Sequence, residues 1–142
     1  MSPVEEGIIR KKLAVIVDNL NALDPIRDLK KDEYVKDIYK RKATERLLQE
    51  LIEAAIDINT HIIVRTGNIV PDDYYESFIK AGELKIISTE LAEKLAPSAG
   101  MRNRLVHEYD VLEHSLVLDA VKFTVDLYPR YIKEIEDYIS IH

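Results

Sequence analysis

One helical pattern constrains this chain more than any other feature. From about Asp32 to Val64, Tyr34, Ile38, Leu48, Ile52, Ala55 and Ile62 fall on one stripe, and Gly67 and Asn68 close the run. At 1.5 Å per residue, a helix of roughly 30 residues is about 45 Å long, more than the width of a small domain. Such a helix requires a kink or a paired partner.

The rest of the chain reads as shorter helices around that rod. Ile9, Leu13, Ile16, Leu20 and Leu23 alternate steps of four and three, which lines one face of a first helix, and Asp24-Pro25 ends it. Pro71 with Asp72 and Asp73 opens a third helix, because proline and carboxylates suit the positive end of a helix dipole. Tyr74, Tyr75, Phe78 and Ile79 form its apolar face, and Gly82 terminates it. Ser88 or Thr89 caps a fourth helix, which Pro97 and Gly100 interrupt. A last helix, from about Ser115 to Ile139, carries Leu116, Ala120, Phe123, Leu127 and Tyr131 and is bent by Pro129, with His114 in the loop before it. The expectation is an all-α bundle of about five helices in a single domain over residues 1–142. Four glycines and five prolines leave little material for the tight turns of an all-β fold.

Composition narrows the function classes. Cysteine is absent, which removes disulfides, thiolate nucleophiles and sulfur-based zinc sites. Nothing near the N-terminus resembles a signal peptide, and no stretch approaches the roughly 20 apolar residues of a membrane span, so a cytoplasmic protein without membrane contact is expected. A net charge of −6 argues against coating nucleic acid non-specifically. Any RNA contact must be local. From Lys94 to His107 there are three cations, Lys94, Arg102 and Arg104, and no acid, while Glu108, Asp110 and Glu113 follow at once.

Within the long helix two polar pairs stand at i,i+4 spacing, Arg41 with Glu45 and Asp57 with His61. They read either as intrahelical ion pairs at a solvated edge or as support for a cleft. His61 with Asp57 gives two ligands and no third, so no metal is assigned, and no cofactor is called for.

The segment from Arg102 to Tyr109 holds the residue types that could carry chemistry. Metal-free RNA cleavage needs a proton carrier, a cation for the phosphorane charge and donors that fix the phosphate. Imidazole serves the first because its ordinary pKa of about 6.5 lets it gain or lose a proton near neutrality. Guanidinium serves the second, being always charged and able to grip two phosphate oxygens. Arg102, Asn103 and His107 supply these types within six residues. On an unbroken helix Asn103 and His107 share a face, but Arg102 and His107 lie about 140° apart. A site therefore needs a helix end at His107 or two copies of the segment facing across a dimer axis. Spacing alone favours an exposed arginine and a helix-terminal histidine stabilised by the dipole, since R-x4-H is a pattern that ordinary helix surfaces often produce.

The wider string, Leu95 to Tyr109, resembles the HepT-like family of the HEPN superfamily, whose hallmark is Gly-hydrophobe-Arg-Asn-x-Leu-Val-His-x-Tyr. Every hallmark position is filled. Upstream, Ile56-Asp57-Ile58-Asn59-Thr60-His61-Ile62 and Pro71-Asp72-Asp73-Tyr74-Tyr75-Glu76-Ser77-Phe78 are similar to two further family segments. The resemblance implies a dimerising HEPN bundle and a metal-independent endoribonuclease toxin with catalytic Arg102 and His107. It implies Asn103 as a positioning or dimer-stabilising group, and the neighbouring Arg104 is read as a second substrate-positioning residue. It implies as partners an RNA substrate, a second copy of the chain and a minimal nucleotidyltransferase antitoxin of the MntA kind, which adenylylates the tyrosine matched by Tyr109. The alternative is a non-catalytic helical subunit that binds a nucleotide or partner alongside a nucleotidyltransferase.

Overall fold

A computed structural model describes residues 5–107 and 112–141. Among them are seven helices and no strand: α1 (Glu6–Arg27), α2 (Lys31–Val35), α3 (Ile38–Gly67), α4 (Tyr74–Glu83), α5 (Thr89–Leu95), α6 (Ser98–His107) and α7 (His114–Ile141). The all-α expectation holds, and the two helices beyond five come from two breaks. The first is at Lys36-Asp37, where Asp37 turns its carboxylate onto the Lys40 N–H at 3.1 Å and caps α3. The rod remains 30 residues long but starts later, and α2 folds back against α3 and α7. Tyr34 is buried by that fold-back, whereas Ile38, expected on the core stripe, is 53% exposed. The second break is at Pro97, which separates α5 from α6. Gly100 does not interrupt anything and lies inside α6 in open space.

Several boundaries moved for identifiable reasons. Pro25 does not end α1, which runs on to Arg27. Ile26 packs on the core and Arg27 pairs with Asp126 of α7 at 2.6 Å, so tertiary contacts carry the turn that proline weakens. The rod does close at Gly67 and Asn68, with Asn68 in the left-handed conformation at φ 52°. Asp73 caps α4 by accepting from the Glu76 N–H at 2.8 Å, and the Ser88 hydroxyl caps α5 by accepting from the Leu91 N–H at 3.2 Å. Gly82 is not a terminator but a buried residue inside α4. A Cβ there would stand 2.6 Å from the Ala92 Cβ, so glycine is what lets α4 and α5 approach. His114 is the first residue of α7 rather than part of a loop.

The rod is the spine of the packing. α1 lies against α3 and α7, α4 against α3 and α5, and α6 against α3 and α4. Between α3 and α7 the Tyr131 hydroxyl lies 2.6 Å from the Asn59 amide oxygen and 3.1 Å from the Ala55 carbonyl. The Tyr128 hydroxyl donates to the Ser98 hydroxyl at 3.0 Å, tying the start of α6 to α7. Burial pushes both phenols well above their ordinary pKa, so they remain neutral donors. No helix among the described residues is long and apolar enough to cross a membrane.

Candidate active site

α6 inherits its position from both of its ends. Ser98 and Ala99 are buried at its start, and Met101 and Leu105, four residues apart, rest on the core. With that stripe turned inward, Asn103, Arg104 and His107 are exposed, and Arg102 is drawn sideways against α3 and α4.

Arg102 is held on three sides. Its Nε donates to a Glu53 carboxylate oxygen at 3.0 Å, its Nη1 reaches the Asn103 side-chain oxygen at 3.4 Å, and its guanidinium carbon stands 4.7 Å from the centroid of the Tyr74 ring. The Gln49 amide donates to the same Glu53 oxygen at 3.4 Å. The Arg102 side chain is 16% exposed and Glu53 32%, so the pair is screened less than the other ion pairs of this surface. Its geometry uses the Nε–H, the inner edge of the guanidinium. With the Nε side taken, the fork between the two terminal nitrogens is the one left for bidentate contact with a phosphate.

His107 is exposed in the last turn of α6. It makes no hydrogen bond to Arg102, and the two side chains sit about 140° apart around the helix. One chain thus places the guanidinium and the imidazole on different faces. Arg104 has no ion-pair partner among the described residues and is exposed on the same helix. Tyr109 lies outside the described residues.

The two polar pairs on the rod resolve differently from either expectation. Asp57 accepts from Lys12 of α1 at 2.9 Å, and His61 Nε2 accepts from the Glu5 N–H at 3.2 Å, so both residues fasten α1 to the rod. Burial, and then the nearby Arg65 charge, lower the His61 pKa from its ordinary value. Arg41 and Glu45 form no ion pair with each other. They flank the buried Tyr34, whose hydroxyl is pushed up to about 12, mainly by burial and then by Glu45. Tyr34 in turn meets His114 edge-on at 5.8 Å between ring centroids. Among the described residues no three His, Asp or Glu side chains are grouped to hold a metal ion.

Glu53, Gln49 and Tyr74 are the site residues that sequence reasoning missed. A signal was present for the first two, a polar i,i+4 pair beside the apolar stripe of the rod, but nothing in the spacing names α6 as their partner. Tyr74 was expected to pack inward. Instead the buried face of α4 is Ser77, Phe78, Ala81 and Gly82, which leaves Tyr74 41% exposed and turned to Arg102.

Comparison with known proteins gives the same frame. The chain is 38% identical over 139 residues to a tRNA nuclease HepT of Aphanizomenon flos-aquae, covering 98% of this chain and 95% of that one. It superposes on a solved structure described as the tri-AMPylated Shewanella oneidensis HEPN toxin in complex with MNT antitoxin, with a TM-score of 0.81 at 25% identity, covering 92% of this chain and 97% of the other. It also shares its fold with the cytosolic protein YutE of Bacillus subtilis, of unknown function, with a TM-score of 0.86 at 18% identity over 99% and 94% of the two chains. The sequence profile of the ribonuclease HepT-like family matches residues 16–135, and this chain belongs to that family.

Proposed function

We propose that this chain is a metal-independent endoribonuclease, the toxin of a toxin–antitoxin pair, working as a homodimer. The observation that carries the reading is α6, which holds an oriented guanidinium at Arg102 and an exposed imidazole at His107. The 2′-hydroxyl of the substrate attacks the adjacent phosphorus, giving up its proton to a base, while the bond to the 5′-oxygen breaks and that oxygen takes a proton from an acid. His107 serves in proton transfer, Arg102 stabilises the charge of the phosphorane, and Asn103 and Arg104 position the phosphate. The products are a 2′,3′-cyclic phosphate and a 5′-hydroxyl. Because Arg102 and His107 diverge around α6, the reading needs a second copy whose α6 faces the first, so that each cleft draws on both.

The antitoxin in this reading is a nucleotidyltransferase that moves AMP from ATP to the Tyr109 hydroxyl, releasing pyrophosphate. The described state of the Shewanella oneidensis toxin supports this step. An added phosphate two residues from His107 repels RNA and occupies its space. The test is cleavage of RNA by the purified protein in EDTA beside His107→Ala and Arg102→Ala. Loss of cleavage on the order of a hundredfold or more is expected in both variants. Equal cleavage by parent and His107→Ala would remove the catalytic assignment, and no cleavage by the parent would favour a non-catalytic subunit.

A further inference from the structure

We propose that Glu53 is the positioning residue of this site, acting on substrate only through Arg102; the inference rests on the nuclease reading and names a residue that reading leaves unused. The reason lies in which edge of the guanidinium Glu53 takes. A carboxylate placed for maximum attraction engages two nitrogens in parallel. Here Glu53 holds Nε at 3.0 Å, and Nη1 is shared only with Asn103 at 3.4 Å. A carboxylate on the outer edge would compete with phosphate, whereas one on the Nε side leaves the two terminal nitrogens for it.

The remaining freedoms of the side chain are closed off by its other neighbours. The guanidinium carbon stands over the Tyr74 ring, 4.7 Å from its centroid, so the ring limits how far the group can swing on that side. Gln49, one turn before Glu53 on the rod, donates to the oxygen that receives Nε and holds the carboxylate rotamer. An arginine otherwise loses rotamer freedom each time it closes on a phosphate. In this arrangement that ordering is complete before substrate arrives, and it is set by a helix buried along most of its length rather than by a loop. Glu53 also places a negative charge near the phosphate, which offsets in the ground state what the ordering of Arg102 gains, whereas the more highly charged phosphorane draws more from the ordered guanidinium. Its contribution belongs to the rate.

That separation makes the proposal testable. Cleavage would be followed under saturating and limiting RNA for the parent, Glu53→Ala and Glu53→Gln, well below their melting temperatures. Glu53→Ala is expected to lower kcat on the order of tenfold to a hundredfold, as for other small misplacements of a reacting group, with KM unchanged or lower. Glu53→Gln keeps an acceptor for Nε and is expected to restore most of kcat. Parental kcat in Glu53→Ala while Arg102→Ala is inactive would overturn the inference and leave the nuclease reading intact. So would a rise in KM alone, or a glutamine variant no better than alanine. Absence of cleavage by the parent would instead remove the reading on which both depend. Should Glu53→Ala fail to fold, Glu53→Gln and the NMR signal of the Arg102 Nε–H, assigned by its loss in Arg102→Lys, carry the test. A signal in the parent that is protected from exchange supports the clamp, and one that exchanges freely overturns it.

Discussion

Two polar side chains in this chain are fastened across helices in different ways. Arg102, mostly covered, has Glu53 and the face of Tyr74 in place of the water it loses. His61 is pushed towards neutrality by burial and then by Arg65, and as a neutral ring its Nε2 can accept from the Glu5 N–H. The sign of the resulting pH dependence follows. A histidine whose folded pKa lies below its unfolded value near 6.5 contributes in full above that pH. As pH falls through about 6.5 the unfolded chain takes up the proton first, and stability declines until the lowered folded value is reached. Protonation also removes the acceptor that fastens the start of α1. Thermal melts at about pH 7.5 and about pH 5.5 should therefore show a lower melting temperature in acid, and His61→Gln should show a smaller difference. An identical pH slope in the variant would assign the acid sensitivity elsewhere.

Of the glycine positions in this chain, Gly82 between α4 and α5 leaves the least room for a side chain. Gly82 faces Ala92 so closely that a single added methyl meets its Cβ at 2.6 Å, and the neighbouring Thr89 backbone at 3.4 Å leaves little room to shift. Gly82→Ala gains in helix propensity but must push the two helices apart, and a net loss of about 1–3 kcal/mol in urea unfolding is expected. A variant as stable as the parent would mean that α5 can slide. The same contact shows what was legible in the sequence. Gly82 was visible as a special position, but its meaning was read as local punctuation when the constraint comes from another helix. Asp37 was passed over, since a cap inside an unbroken periodic run is outweighed by the period. Ser88 was one of the two caps expected for α5, whereas α4 was expected to start at Pro71 and in fact starts after Asp73, which caps it; both starts were legible because they sit where periodicity stops. In the candidate site, Arg102, Asn103 and His107 stand out by residue type and string, whereas the contacts of Glu53 and Tyr74 with Arg102 do not. Those contacts are created by packing between α3, α4 and α6, and no spacing along one helix encodes that.

For the molecule as a whole, an excess of acid and a site built of cations pull in different directions. In the proposed function, a net charge of −6 over the whole chain leaves RNA capture to the short stretch of α6 that carries Arg102 and Arg104. Two such helices brought face to face would double that cationic patch and set the guanidinium of one chain beside the imidazole of the other. This arrangement makes a prediction that a site within one chain does not. In a mixture of Arg102→Ala and His107→Ala subunits, each inactive alone, half of the dimers are mixed if subunits exchange at random. Each mixed dimer has one cleft that lost both groups and one that kept both, so the mixture should recover about a quarter of parental activity. If Arg102 and His107 of the same chain act together, every cleft lacks one group and mixing recovers nothing. Assays after co-refolding the two variants at equal concentration separate the cases, and recovery that disappears on dilution would place the subunit contact inside the active site.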